Sequence, residues 1–288
     1  AKERKMDWMK AIGEAIEYIE DNITDDITPY DIASHVNISP FYFQKGFSLL
    51  CGYSLSEYIR FRRLSLAAHD LIASDERIID IALKYGYDSP DSFTKAFTRF
   101  HGVTPLSARK SCVSLRSFAP LKIKISLSGG YLMTYKIEKK DSFKVIGKKG
   151  TFSYEKAKEV IPLFWKEVFE DSKNTISGQY GINIDKTMGG EQFEYIIADP
   201  YRNQELQDGL VIETIPSFEW AVFPCVGALP YALQDVNKKI FSEWLPALKD
   251  YDFAAGYCIE YYSDPKSYKN GTMDENYYSE IWIPVKKR

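Results

Sequence analysis

At 288 residues, with 45% hydrophobic and 27% charged side chains, the chain has the balance of a globular protein built from two domains of ordinary size. No apolar stretch approaches the length of a membrane span and the start carries no signal-peptide pattern, so no membrane association is expected. Cys51, Cys112, Cys225 and Cys258 make no CxxC pair and only His35, His69 and His101 accompany them, which excludes metal-ligand spacing and predicts reduced thiols in a cytoplasmic protein without cofactor.

The net charge of −3 hides a division along the chain. Residues 1–26 carry 4 Lys/Arg against 8 Asp/Glu, residues 27–124 carry 13 against 8, and the rest carry 20 against 24. No acidic residue stands between Asp91 and Glu138, whereas Lys95, Arg99, Arg109, Lys110, Arg116, Lys122, Lys124 and Lys136 do. A basic zone between acidic ends is the footprint of a module that touches phosphates.

The first 110 residues repeat themselves. Ile32-Ala33-Ser34-His35-Val36-Asn37 matches Ile81-Ala82-Leu83-Lys84-Tyr85-Gly86 at an offset of 49, and Phe43, Phe47 and Gly52 match Phe93, Phe97 and Gly102 at an offset of 50. Each copy reads as helix, tight turn, helix. Thr28 caps the first helix, Pro29 opens it, and Asn37 or Gly86 supplies the left-handed residue of the turn. Ser39-Pro40 and Ser89-Pro90 then start the second helices. The phenylalanines face inward at helical spacing, leaving Phe41, Gln44 and Lys45 outward in one copy and Asp91, Ser92, Thr94, Lys95 and Arg99 in the other. Such a face can enter a major groove; a hairpin repeat packing only on itself is the alternative.

Residues 8–115 resemble the tandem DNA-binding domain of AraC/XylS-type transcription regulators. The signature stands as Ile81-Ala82-x-x-x-Gly86-Tyr87-x-Ser89-x-x-x-Phe93-x-x-x-Phe97-x-x-x-x-Gly102-x-Thr104-Pro105-x-x-x-Arg109, with Ala108 in place of the usual aromatic. The resemblance implies a long helix, about Leu55 to Ala73, that sets both recognition helices on one face of double-stranded DNA, about 34 Å apart. It maps base contacts onto Phe41, Gln44 and Lys45, and onto Pro90, Asp91, Ser92, Thr94 and Lys95. Arg60 and Arg109 occupy the same place after each glycine, as phosphate contacts or structural ion pairs.

Ser111–Ser128, rich in Ser, Lys and Leu and followed by Gly129-Gly130, predicts a linker at 116–130 between a domain at 1–115 and another at 131–288. Strands are predicted at Leu132–Glu138 and Phe143–Lys149, a helix at Tyr154–Glu170, and strands near Gln179–Ile184 and Gln192–Ala198. A second copy follows: Ser217-Phe218-x-Trp220 echoes Ser142-Phe143-x-Val145, a helix lies near Tyr231–Leu248, and strands lie at Gly256–Tyr262 and Tyr277–Val285. The predicted fold class is therefore an all-α tandem helix-turn-helix domain followed by an α+β domain. The latter consists of two pseudo-symmetric sheet-and-helix halves with a groove between them.

The second region resembles the gyrase-inhibitor-like (GyrI-like) effector-binding domain through Ile215-Pro216-x-x-x-Trp220-Ala221-Val222-Phe223, Trp244-Leu245-Pro246, Ile259-Glu260-x-Tyr262 and Tyr278-x-Glu280-Ile281-Trp282-Ile283-Pro284-Val285. That resemblance implies a small aromatic, often cationic, effector in a ring-lined pocket with a buried carboxylate. Glu280 is the leading candidate, sharing a strand face with Tyr278 and Trp282; Glu260 and Glu194 stand in similar strands. Trp165, Tyr180, Trp220, Trp244 and Tyr262 are pocket candidates of a kind that core packing more often explains.

The implied function is a ligand-responsive, non-enzymatic regulator, an activator with RNA polymerase as a further partner. The alternatives are a C-terminal hydrolase of reactive DNA-damaging compounds, with Glu280 as general base, or a protein-interaction module with a vestigial pocket.

Overall fold

The computed structural model describes residues 8–110, 113–123, 133–186, 191–245, 248 and 250–288. Cys112, Lys124, the expected start at Tyr131-Leu132, and Pro246 fall outside the described residues. The N-terminal region is helical: α1 (Trp8–Asp21), α2 (Pro29–His35), α3 (Pro40–Cys51), α4 (Leu55–Ala73), α5 (Ile78–Lys84), α6 (Pro90–His101) and α7 (Pro105–Lys110).

Local chemistry fixes these boundaries. The Thr28 hydroxyl accepts from the Asp31 backbone N–H at 3.2 Å while the Asp31 carboxylate accepts from the Thr28 N–H at 2.9 Å, closing a capping box at the start of α2. Hydrogen bonds from Thr28 hold the Asp31 carboxyl below the usual carboxylate range. Asn37 (φ 57°) and Gly86 (φ 79°) make the two inter-helix turns in the left-handed region, as the repeat predicts. Ala33 and Ala82, both buried, allow the close crossings of α2 with α3 and α5 with α6. The connector α4 starts at a second capping box, Ser54 with Glu57, and links both units.

His101 closes the second unit. It is buried, its Nε2–H reaches the Leu64 carbonyl at 3.1 Å, and its Nδ1 accepts from the Arg116 N–H at 3.2 Å. Desolvation lowers its pKa from 6.5, so the folded state holds a neutral ring. A depressed folded value means that the unfolded chain binds the proton more readily. The stabilisation is therefore complete above pH 6.5 and disappears as pH falls through the lowered folded value. His101→Gln should flatten the decline of melting temperature on acidification; an unchanged slope would show that His101 is not the responsible group.

Of the expected linker, residues up to 123 are described and run along α4 without regular structure. Phe118 packs against Tyr53, Tyr58 and Phe61, and its N–H donates to Ser65 Oγ at 2.8 Å. Gly129-Gly130 lie outside the described residues.

The C-terminal region contains β1 (Lys136–Lys140), β2 (Phe143–Ser153), α8 (Ala157–Glu170), β3 (Tyr180–Ile184), β4 (Gln192–Pro200), β5 (Val211–Ile215), β6 (Phe218–Val226), α9 (Tyr231–Lys239), β7 (Tyr251–Phe253), β8 (Tyr257–Tyr262) and β9 (Tyr278–Lys287). A π-helical turn, Ile240–Trp244, extends α9. One antiparallel sheet runs β1-β6-β9-β8-β3-β4-β2-β5, with β7 added beside β9.

The order is symmetric about the β8–β3 junction, where Ile259 opposes Ile182. Each half leads with a short strand that pairs in the other half: β1 with β6, and β5 with β2. The sequence reading misses β5 and β7, which are five and three residues long. At three residues, β7 is too short for alternation to register.

Cross-strand partners share a face, so register sorts every side chain. One face meets α8, α9 and the helical region: Phe164, Val168, Tyr195 and Ile197 form one cluster, and Ala221, Phe223, Ile281 and Ile283 join Trp8, Phe43, Phe47 and Phe241 in another. The opposite face buries Val145, Ile182, Ile196, Trp220, Val222, Ile259 and Trp282 against one another.

Candidate functional site: recognition helices and effector cleft

The second recognition helix is presented as its sequence requires. Ser89 caps α6 by accepting from the Ser92 N–H at 3.2 Å, Pro90 sits in the first turn, and buried Phe93 and Phe97 anchor the inner side. Pro90, Asp91, Ser92, Lys95 and Arg99 are exposed, and Thr94 is half-buried.

The first recognition helix differs. Phe41 and Gln44 are buried (1% and 5% exposed) and Lys45 is half-buried, so the expected outward face of α3 is not open to solvent. The reason is packing that the repeat alone does not encode: the C-terminal region docks on this helix. Tyr42 stacks on Phe253 with ring centroids 3.5 Å apart, and its hydroxyl is shared between the carbonyls of Ala255 (2.9 Å) and Tyr257 (2.8 Å). Phe41 meets Tyr154 edge-on, and Trp8 meets Phe241 likewise. The Lys45 ammonium donates to Cys258 Sγ at 2.9 Å, and Cys258 is itself buried.

Both arginines left open between phosphate contact and structure have protein partners. Arg60 is ion-paired with Glu155 of the C-terminal region. Arg109 donates to the Glu76 carbonyl at 2.6 Å and the Leu71 carbonyl at 3.3 Å, holding the segment between α4 and α5.

Between α8, α9 and the sheet lies an open cleft of about 1410 Å³. Glu260 sits on its floor, with Trp165, Tyr195 and Tyr262 beside it and Ser48, Leu49 and Gly52 of the α3 end forming part of one wall. The floor depends on a glycine. Gly181 opposes Glu260 across β3 and β8, and a Cβ there would run into Tyr195 Oη and stand 3.3 Å from Glu260 Oε2. Tyr262 donates to Glu260 Oε2 at 2.9 Å, and Trp165 Nε1 donates to Tyr195 Oη at 2.9 Å. Burial, followed by the charge of Glu260, pushes the Tyr195 and Tyr262 hydroxyls well above the ordinary tyrosine range, so both stay protonated. The Cys225 thiol, buried on the same face of the sheet, is pushed up to about 12 by desolvation and is inert.

Glu280 does not reach this cleft. It opposes Tyr261, whereas Glu260 opposes Ile281, so the two carboxylates lie on opposite faces of adjoining strands. Tyr278 donates to Glu280 Oε1 at 2.6 Å and Trp282 Nε1 donates to Oε2 at 2.5 Å, leaving both oxygens occupied. Trp282 is surrounded by Trp220, Tyr180 and Tyr261, with the Lys140 ammonium 4.3 Å over its ring. Glu280, Tyr278, Trp282, Trp220 and Tyr180 therefore lie together on the face of the sheet opposite the helices, while Trp165 and Tyr262 line the cleft. Trp244 packs edge-on against Phe223, and Glu194 is paired with Lys149 and Lys186. Tyr195 lines the cleft and Gly181 packs against it and Glu260; the sequence reading passes over both. The Glu260–Tyr262 spacing was visible, but only sheet order separates its face from that of Glu280.

The family model described as "Integron-associated effector binding protein" matches residues 136–285, and that of a helix-turn-helix domain matches 32–111. The chain is 36% identical to the HTH-type transcriptional activator AarP of Providencia stuartii over 115 residues, 40% of this chain and 85% of that protein. It is 24% identical to the transcriptional regulator Rob of Salmonella typhimurium over 293 residues, spanning 98% of this chain and all of that one. Among solved structures, SAV2435 bound to tetraphenylphosphonium is similar over 54% of this chain and 94% of that one, at 23% identity and a TM-score of 0.45. Among the described residues, no helix is long and apolar enough to cross a membrane. The chain belongs to the AraC-type helix-turn-helix transcription regulators that carry an integron-associated, GyrI-like effector-binding domain.

Proposed function

We propose that this regulator is a cytoplasmic activator whose effector is a lipophilic aromatic cation held at Glu260. One observation carries the reading: a carboxylate on the floor of a deep cleft, flanked by Trp165, Tyr195 and Tyr262. Rings supply apolar area and negative faces, and the half-buried carboxylate supplies the charge that selects a cation over a neutral molecule of the same shape. On the DNA side, α6 offers Ser92 and Thr94 to base edges and Lys95 and Arg99 to phosphates. Pro90 and Asp91 shape how that helix enters the groove. RNA polymerase is the partner through which an activator bound beside a promoter acts. The cleft serves as a ligand-binding site without turnover, a reading supported by its fusion to a DNA-binding module.

The experiment is a titration of the full chain with tetraphenylphosphonium, read by tryptophan fluorescence. Glu260→Gln should weaken binding about tenfold or more, equivalent to about 1.4 kcal/mol, whereas Glu280→Gln should leave affinity unchanged and lower the melting temperature. A fluorescence signal that never saturates, or a loss confined to Glu280→Gln, would overturn the assignment.

A further inference from the structure

The α3 helix has two roles that collide. By sequence it is the first recognition helix, yet Phe41 is covered by Tyr154 of the C-terminal region, Gln44 is buried, and the end of the same helix walls the cleft through Ser48, Leu49 and Gly52. Between those two parts lies Lys45. Its ammonium passes into the C-terminal region, donates to the buried sulfur of Cys258, and feels the charge of Glu260 two residues along β8.

Cys258 and Glu260 lie on one face of β8, the face turned toward the helices. The carboxylate on the cleft floor therefore has a positive charge from the recognition helix on one side and open cleft on the other. Desolvation opposes the charged form of Lys45, and the Glu260 carboxylate is among the groups that raise its pKa. Tyr42, one turn back, completes the seat through its stack on Phe253 and its two carbonyl partners.

We infer that Lys45 is a tethered cation that holds the first recognition helix masked on the effector domain through Glu260, and that a cationic effector competes with it for that carboxylate and releases the helix to DNA. This rests on the cleft reading above and adds its regulation. A cation brought to Glu260 neutralises the carboxylate that lies two residues along the same strand face from the Cys258 seat of Lys45, and places a like charge near that ammonium, which burial already disfavours. The contacts an effector gains from the α3 wall come from half-exposed Ser48 and Leu49 and exposed Gly52, so charge decides the direction. The masked state presents α6 alone; the released state presents both helices. An effector shifts that balance only by its differential affinity for the two states. Reciprocally, duplex DNA that engages α3 should raise the affinity of the cleft for the cation.

Cys258, sealed beneath Lys45, reports the seat directly. In the full chain without ligand, its alkylation by iodoacetamide, read by mass spectrometry, should be slow. Phe253→Ala, which breaks the stack, and Glu260→Gln, which removes the attraction, should each speed it about tenfold or more; Tyr42→Phe keeps the ring and should give a smaller increase. Binding of the three variants to mixed-sequence duplex DNA should tighten in the same order, with a steeper salt dependence than wild type.

Alkylation as fast in wild type as in Phe253→Ala would show that the helix is not masked. Acceleration by Phe253→Ala but none by Glu260→Gln would remove Lys45 and Glu260 from the device and overturn the proposal. These ligand-free measurements stand even if tetraphenylphosphonium fails to bind, a result that would sink the cleft reading alone. Where it does bind, saturating cation should accelerate Cys258 alkylation in wild type, and a slowing would overturn the competition.

Discussion

Arg62→Ala is expected to cost about 3–5 kcal/mol of stability, the range for stripping one partner from a buried ion pair. Arg62 leaves α4 toward α1, where its Nε and Nη2 fork onto Glu20 at 2.7–3.0 Å, and its Nη1 donates to the Phe118 carbonyl at 2.5 Å. Tyr58 adds a hydroxyl to Glu20 Oε1 at 2.7 Å. The side chains are 9% and 22% exposed, so solvent screens the pair weakly. Without the guanidinium, the Glu20 carboxylate keeps only Tyr58 of these donors, and the segment at Phe118 loses this tie to the connector helix. Chemical denaturation followed by circular dichroism would measure the loss. Arg62→Lys should recover only part of it, because an ammonium cannot reproduce the planar fork. A midpoint for Arg62→Ala within experimental error of wild type would show that the network contributes nothing net.

The second large effect is expected from a single methyl group. Gly181→Ala places a Cβ against the Tyr195 hydroxyl and beside Glu260. Tyr195 is 2% exposed and tied to Trp165 Nε1, so its ring has no room to retreat without moving the cleft floor. Overpacking of this kind costs about 1–3 kcal/mol of stability. Its greater consequence falls on binding, since Glu260, Tyr195 and Trp165 shift together, and cation affinity should fall about tenfold or more. Calorimetric titration of the folded variant separates the two effects. Affinity equal to wild type would mean that Tyr195 and its neighbours do not shape the ligand site.

The sequence discloses much of this because the N-terminal module is governed by local rules. Caps, helical faces and a left-handed turn residue are read within a few positions, and α4 falls at Leu55–Ala73 as the family resemblance implies. The pseudo-twofold of the sheet is also legible, from Ser142-Phe143 against Ser217-Phe218. What escapes is what depends on distant partners. Glu260 and Glu280 occupy equivalent-looking alternating strands, and their faces are separated only when β8 pairs with β9 so that Glu280 opposes Tyr261. Likewise, nothing within Pro40–Cys51 says that its outer face is taken: Phe41, Tyr42 and Lys45 have polar or ring ends that suit a DNA groove, and they suit Tyr154, Phe253 and Cys258 as well.

The exchange of leading strands between the two halves has a mechanical consequence. Because β1 is laddered to β6 and β5 to β2, neither half can swing away from the other without tearing five-residue ladders at both edges of the sheet. The effector domain is thus a stiff plate that cannot open like a hinge to admit a bulky guest. Whatever yields on binding must come from the side of the cleft that has no such lacing: α8, α9 and the borrowed end of α3. In this protein the most compliant wall of the drug-sized cavity is also part of the DNA reader.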